Sequence, residues 1–166
     1  MKRLVLIRHA KSSWANPLQS DFDRPLNDRG EHDAPMMGER LKAAAILPDL
    51  VIASTAKRAA QTAKRVCKGM GYDTEKIDWQ EELYHCVPSV FEELIYGVDD
   101  AVTTLAIVAH NPGISEFAAS LDNTKAIHHM PTCAVAGFEI DADRWTDFHL
   151  AKKKTILYDT PKKDHE

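Results

Sequence analysis

Three cysteines, Cys67, Cys86 and Cys133, are all that the 166 residues contain, and no two of them form a Cys-x-x-Cys pair. A disulfide framework, a zinc knuckle and a redox dithiol are therefore not expected, and the thiols read as reduced core side chains. None of the three is followed by an arginine six positions later, which argues against cysteine phosphatase chemistry. No Gly-x-x-x-x-Gly-Lys segment points to a nucleoside triphosphatase. Long apolar runs are also missing: the first, Leu4-Val5-Leu6-Ile7, stops at Arg8, too short for a signal-peptide core, and no stretch approaches a membrane span. The expectation is a cytoplasmic protein with no membrane partner. Positive charge is not in excess, since 21 Lys and Arg face 25 Asp and Glu for a net charge of -4. A nucleic-acid partner is not expected, and any anion has to be met by a local cluster of cations.

What is present is a repeated pattern. Leu4-Val5-Leu6-Ile7, Leu50-Val51-Ile52-Ala53 and Leu105-Ala106-Ile107-Val108 are nearly continuous apolar runs, as strands covered on both faces are. Between and after them, helical spacing covers 28–44, 56–70, 89–97 and 112–121. Asn111-Pro112 suits a helix start, with asparagine as cap and proline in the first turn. Pro35 implies that the first helix kinks or begins late. Segments 133–140 and 148–158 read as further strands, the last carrying Lys152, Lys153 and Lys154 as an exposed edge does. The alternation predicts an α/β fold with a mostly parallel central sheet and helices on both faces, giving three layers. One domain is expected over 1–159, followed by a loose polar tail over 160–166.

Each apolar run ends in groups of chemical use: Arg8-His9, Ser54-Thr55 and His110-Asn111. In an open parallel sheet the ligand crevice lies outside the carboxyl ends of the strands, so these groups should converge there. Lys57 and Arg58 open the second helix, where the macrodipole disfavours cations, so a counter-charge is required. Helical side chains lean toward the amino end, which sends Arg58 into the crevice, where a phosphate satisfies both it and the helix terminus. Positive neighbours keep the His9 imidazole neutral, and a neutral imidazole can attack phosphorus, with the arginines and His110 stabilising the transferred phosphoryl group.

These residues resemble the histidine phosphatase superfamily. Leu6-Ile7-Arg8-His9-Ala10 is similar to its Arg-His-Gly signature, Ser54-Thr55-Ala56-Lys57-Arg58-Ala59-Ala60-Gln61-Thr62 to its Ser-x-x-x-Arg-x-x-Gln-Thr segment, and Pro25-Leu26-Asn27-Asp28-Arg29-Gly30 to its lead into the first helix. The resemblance implies Arg8, Arg58 and His110 as phosphate-binding and catalytic residues, His9 as nucleophile, a phosphoglycerate mutase-like fold, and neither cofactor nor metal. Asp23-Arg24-Pro25-Leu26 and His110-Asn111-Pro112-Gly113 resemble the SixA-type phosphohistidine phosphatases, which implies a phosphorylated protein as partner, with a small phosphorylated metabolite as the alternative. Ala10 in place of glycine and Lys11 depart from the mutases. Glu82, before Leu83-Tyr84, resembles the region that supplies a general acid. Glu81 or no acid at all remain open, because a protonated imidazole leaving group needs little help.

Three rivals stand beside this reading. A metal-dependent phosphatase with an aspartyl nucleophile would use Asp21-Phe22-Asp23 or Asp141-Ala142-Asp143, but the first lacks a preceding apolar strand and the second leaves too little chain after it. A small-molecule phosphomonoesterase would use the same pocket. A binding module would hold phosphate without turnover and never carry it on His9. Lys57 reads as exposed, and adjacent His128 and His129 as loop residues without a metal partner.

Overall fold

The protein is described by a computed structural model over residues 1–162. Strands β1 (Lys2–Arg8), β2 (Leu50–Ala53), β3 (Asp78–Trp79), β4 (Thr104–Ala109), β5 (Val135–Ile140) and β6 (Lys153–Asp159) form one sheet in the order β3-β2-β4-β1-β5-β6. The first four run parallel, while β5 and β6 pair antiparallel, so the sheet is mixed. Helices α1 (Asp28–Ala43) and α2 (Lys57–Met70) cover one face, and α3 (Pro88–Tyr96) and α4 (Gly113–Leu121) the other.

Strand alternation explains the continuous apolar runs. Leu4 and Leu6 of β1, with Leu105 and Ile107 of β4, pack under Phe91 of α3 and Phe117 of α4. Val5 and Ile7, with Ala106 and Val108, face Met37 of α1 and Val66 of α2 instead. Side chains of this size contribute about 1.5–3 kcal/mol each when fully buried, so neither face of the central strands can turn to water. The lysine-bearing β6 lies at one sheet edge, with Lys154 exposed on it and Lys152 exposed just before it.

Several boundaries differ from the sequence expectation. Helix α1 does not begin late: it starts at Asp28, where Asn27 caps it with Oδ1 accepting the Gly30 amide at 2.9 Å, and it contains Pro35. The helix expected over 112–121 begins at Gly113, and Asn111 does not cap it: its Nδ2 donates to the Met130 carbonyl and its Oδ1 accepts from Ser115. The strand expected over 133–140 begins at Val135, since Cys133 has a φ of 62°, outside the extended region. The strand expected over 148–158 begins at Lys153; Phe148 instead turns inward against Phe117, its aromatic character serving the core and not a strand. Strand β3, two residues long, has no periodicity to reveal it. Of the tail expected over 160–166, Thr160 accepts a hydrogen bond from Arg40, and residues 163–166 lie outside the described residues.

Candidate active site

The parallel strands bring their carboxyl ends to one end of the sheet, with Arg8 beside Ala109 and Ala53 beside Val108. There Arg8, His9, Arg58 and His110 line a cleft of about 300 Å³. The backbone at His9 is fixed on both sides: its amide donates to the Ala109 carbonyl of β4 at 3.0 Å, and its carbonyl accepts the amide of Cys133, just before β5, at 3.0 Å. Thr62 of α2 fixes the next residue, its Oγ1 accepting the Ala10 amide at 2.9 Å and donating to the Arg58 carbonyl at 2.7 Å. The Gln-Thr pair of the second motif is thereby explained, since Gln61 Oε1 also accepts the Leu26 amide at 2.8 Å. Gly30 is explained too: a Cβ there would stand 2.2 Å from the Lys11 carbonyl, just beyond His9 and Ala10.

His9 Nδ1 lies 2.8 Å from the Ala10 carbonyl. A carbonyl only accepts, so this contact assigns the ring proton to Nδ1 and leaves the Nε2 lone pair free. Burial pushes the His9 pKa down to about 3, with Arg58, Arg8 and Arg24 adding to the effect and the Ala10 carbonyl opposing it. Burial thus leads, where the sequence pointed to the neighbouring charges alone.

His110 is buried next to it, ring centroids 5.2 Å apart. Burial pushes its pKa down to about 2, helped by His9, Arg58 and His85. Its Nε2 is 2.7 Å from Ser54 Oγ, which itself accepts the Ala56 amide at 3.3 Å. The serine hydroxyl thus joins the His110 ring to the start of α2, and His110 Nδ1 is buried without a protein partner.

Arg8 donates Nη1 to the Met130 carbonyl at 3.0 Å, and burial and Arg58 lower its pKa. Arg58 donates to the backbone and carboxylate oxygens of Asp21. The Nε of each arginine is buried and unpaired. Unpaired buried donors are costly, by about 1–3 kcal/mol each. Both guanidinium groups belong to residues lining the cleft, where they give an oxyanion a positive surrounding.

The sequence candidates do not all meet here. Glu82 and Glu81 lie on the turn Glu81–Leu83, exposed and outside the lining of the cleft. Lys57, His128 and His129 are exposed and outside it as well. Other residues do line it: Lys11, Ser12, Trp14, Arg24 and His85. Arg24 had entered only as part of a motif, and Asp21 only as a nucleophile that lacked its strand. An acid three residues before an arginine is a legible local pair, but the reach of Asp21 to Arg58 is not. His85 is carried to the cleft by a close approach, because Gly113 lacks a Cβ that would stand 2.3 Å from the Cys86 carbonyl.

Comparison with known proteins then decides the family. The profile of the histidine phosphatase superfamily (branch 1) matches residues 4–86, half of the chain. The chain belongs to the histidine phosphatase superfamily. Another protein similar to it, the uncharacterised Rv1276c of Mycobacterium tuberculosis strain H37Rv, is 36% identical over 165 residues, covering 94% of this chain and 100% of that protein. Among solved structures, a candidate phosphohistidine phosphatase SixA from Agrobacterium tumefaciens superposes with a TM-score of 0.78 at 25% identity, covering 96% of this chain and 99% of that one. A candidate SixA from Nakamurella multipartitia gives 0.84 at 24% identity, covering 98% and 97%. The mixed α/β sheet with helices on both faces is the fold of these superfamily structures. Among the described residues no helix is long and apolar enough to cross a membrane.

Proposed function

We propose that this superfamily member is a phosphatase that takes a phosphoryl group onto His9 Nε2 and releases it to water, acting on phosphohistidine in proteins. The observation that carries the first part is the His9 ring itself, neutral, oriented through Nδ1, and set among two arginines with unpaired Nε donors. In the first step the Nε2–P bond forms and the bond from phosphorus to the substrate nitrogen breaks. The leaving imidazole, protonated beforehand on its far nitrogen, departs neutral with the electron pair. Water then attacks phosphorus, the Nε2–P bond breaks, and inorganic phosphate leaves with the protons of that water. Arg8, Arg58 and His110 stabilise the charge on the equatorial oxygens through both steps.

The substrate class follows from the leaving group. No carboxyl side chain lines the cleft among the described residues. Asp21 nearby is held well below the usual carboxylate range by the Tyr84 hydroxyl and Arg58, so it has no proton to give. An alkoxide leaving group needs that proton, whereas an imidazolium brings its own. The free thiols Cys67, Cys86 and Cys133 fit a reducing compartment such as the cytoplasm.

The test is hydrolysis of a phosphohistidine peptide and of an alkyl phosphomonoester, each with chelator present, by wild type and His9→Ala. Faster turnover of the peptide, unaffected by chelator, lost in the variant and accompanied by label on His9, is expected. Preference for the ester would replace the phosphohistidine reading with a metabolite phosphatase, inhibition by chelator would refute metal independence, and binding without label would leave a phosphate-binding module.

A further inference from the structure

Asp21 opens a short turn on the connection between β1 and α1, and its carboxylate joins side chains from three segments. Oδ1 accepts from Arg24 Nε at 3.2 Å and Nη2 at 3.1 Å. Oδ2 accepts from Arg58 Nη2 at 3.1 Å and from the Tyr84 hydroxyl at 2.5 Å. The Asp21 backbone carbonyl takes Arg58 Nη1 at 2.6 Å. Both arginines line the cleft and are buried, and Arg24 is held further by Ser12 Oγ at 2.7 Å and by the Trp14 ring, 3.6 Å from its guanidinium carbon. Tyr84 in turn stands edge-on to His110, ring centroids 5.5 Å apart.

The Asp21 side chain stays 45% exposed while its two arginines are buried behind it. One fixed negative charge therefore sits in contact with both solvent and two of the cations that line the cleft. Its oxygens already accept four hydrogen bonds, so it has no lone pair left to offer and acts on an incoming group through its field.

We infer that Asp21 is a specificity-determining residue that turns away substrates whose leaving group carries its own negative charge and admits phosphoryl groups on neutral or cationic leaving groups. The inference rests on the phosphatase reading above and narrows its substrate class. A single phosphoryl dianion is met by Arg8, Arg58 and Arg24, and the carboxylate does not outweigh them. A second anion attached beyond the phosphorus that reaches toward Arg24 and Arg58 meets the carboxylate bonded to them, and like charges a few ångströms apart repel strongly. A built-in repulsion of this kind selects among ligands that make the same attractive contacts. The side chain of a protein histidine carries no such second charge, whereas many small phosphorylated acids do.

The experiment compares two matched monoesters, a phosphorylated alcohol and the same alcohol bearing a carboxylate next to the phosphate, with the full chain as wild type, Asp21→Asn and Asp21→Glu. The ratio of kcat/KM for the two substrates is the readout, because losses from a displaced Arg24 or Arg58 affect both and cancel. Asp21→Asn should shift the ratio about tenfold toward the carboxylate-bearing ester, and Asp21→Glu, which keeps the charge, should stay within about twofold of wild type. Should the asparagine variant fail to melt cooperatively, Asp21→Ser at the same surface turn is read in its place. An unchanged ratio in a folded, charge-free variant overturns the inference. If wild type hydrolyses neither ester nor a phosphohistidine peptide, the phosphatase reading fails on its own account. The ratio of affinities, measured by displacement of inorganic phosphate, then still decides the role of Asp21.

Discussion

At the scale of single residues, the cleft depends on small polar side chains that never touch a substrate. Thr62 is the clearest: one hydroxyl satisfies the Ala10 amide and ties it to the first turn of α2, so the loop that orients His9 and the helix that supplies Arg58 share a joint. Thr62→Val keeps the shape and removes the joint, leaving a buried amide unpaired. A loss of about 1–3 kcal/mol in urea unfolding is expected, with a fall in turnover larger than the loss of stability explains. Unchanged stability would mean that Ala10 finds another acceptor. Residues of this kind are visible in the sequence only as letters of a motif. That Arg8, His9, Arg58 and His110 meet in one cleft was legible because each ends an apolar run or opens a helix in a fixed order. Asp21 and Arg24 were not, because their partners come from segments whose separation in sequence says nothing of their distance in space.

At the scale of elements, the approach of the segment after β3 to the start of α4 sets one wall of the cleft. Gly113 allows it, with the Cys86 carbonyl where a side chain would otherwise be. Gly113→Ala should cost about 1–3 kcal/mol and push residues 84–86 outward, and with them Tyr84 and His85. Thermal melting and kcat together check this, and an unchanged kcat in a folded variant would show that the wall adapts. The major elements were readable from their apolar pattern: β1, β2 and β4 as short runs buried on both faces, and the helices from their spacing. Elements that lack such a period were not. Two-residue β3 follows from a neighbour's edge, and the aromatic at Phe148, which suits a strand locally, is claimed by the core beneath α3 and α4.

At the scale of the whole molecule, the two buried histidines make stability depend on pH. Their pKa values fall from the model-peptide value of 6.5 to about 3 for His9 and about 2 for His110. Unfolded chains therefore bind protons that the fold refuses. Stability from these groups is fully present above about pH 6.5 and falls as the pH drops toward 3, by at most about 1.4 kcal/mol per unit for each histidine. Urea midpoints measured at pH 7 and pH 5 should show the loss, and His9→Asn, which cannot titrate, should show a shallower one. Equal midpoints in the wild type would mean that the rings are protonated in the fold.

The position of β1 has a consequence for how the protein is made. This first strand lies between β4 and β5, and the His9 backbone is bonded to Ala109 on one side and Cys133 on the other. A ribosome releases residue 9 long before residue 133, so β1 waits for both of its neighbours until the later segments have emerged. No growing chain that stops short of Cys133 can carry a finished cleft, and the surroundings of the His9 ring are completed only when a segment made more than a hundred residues later arrives.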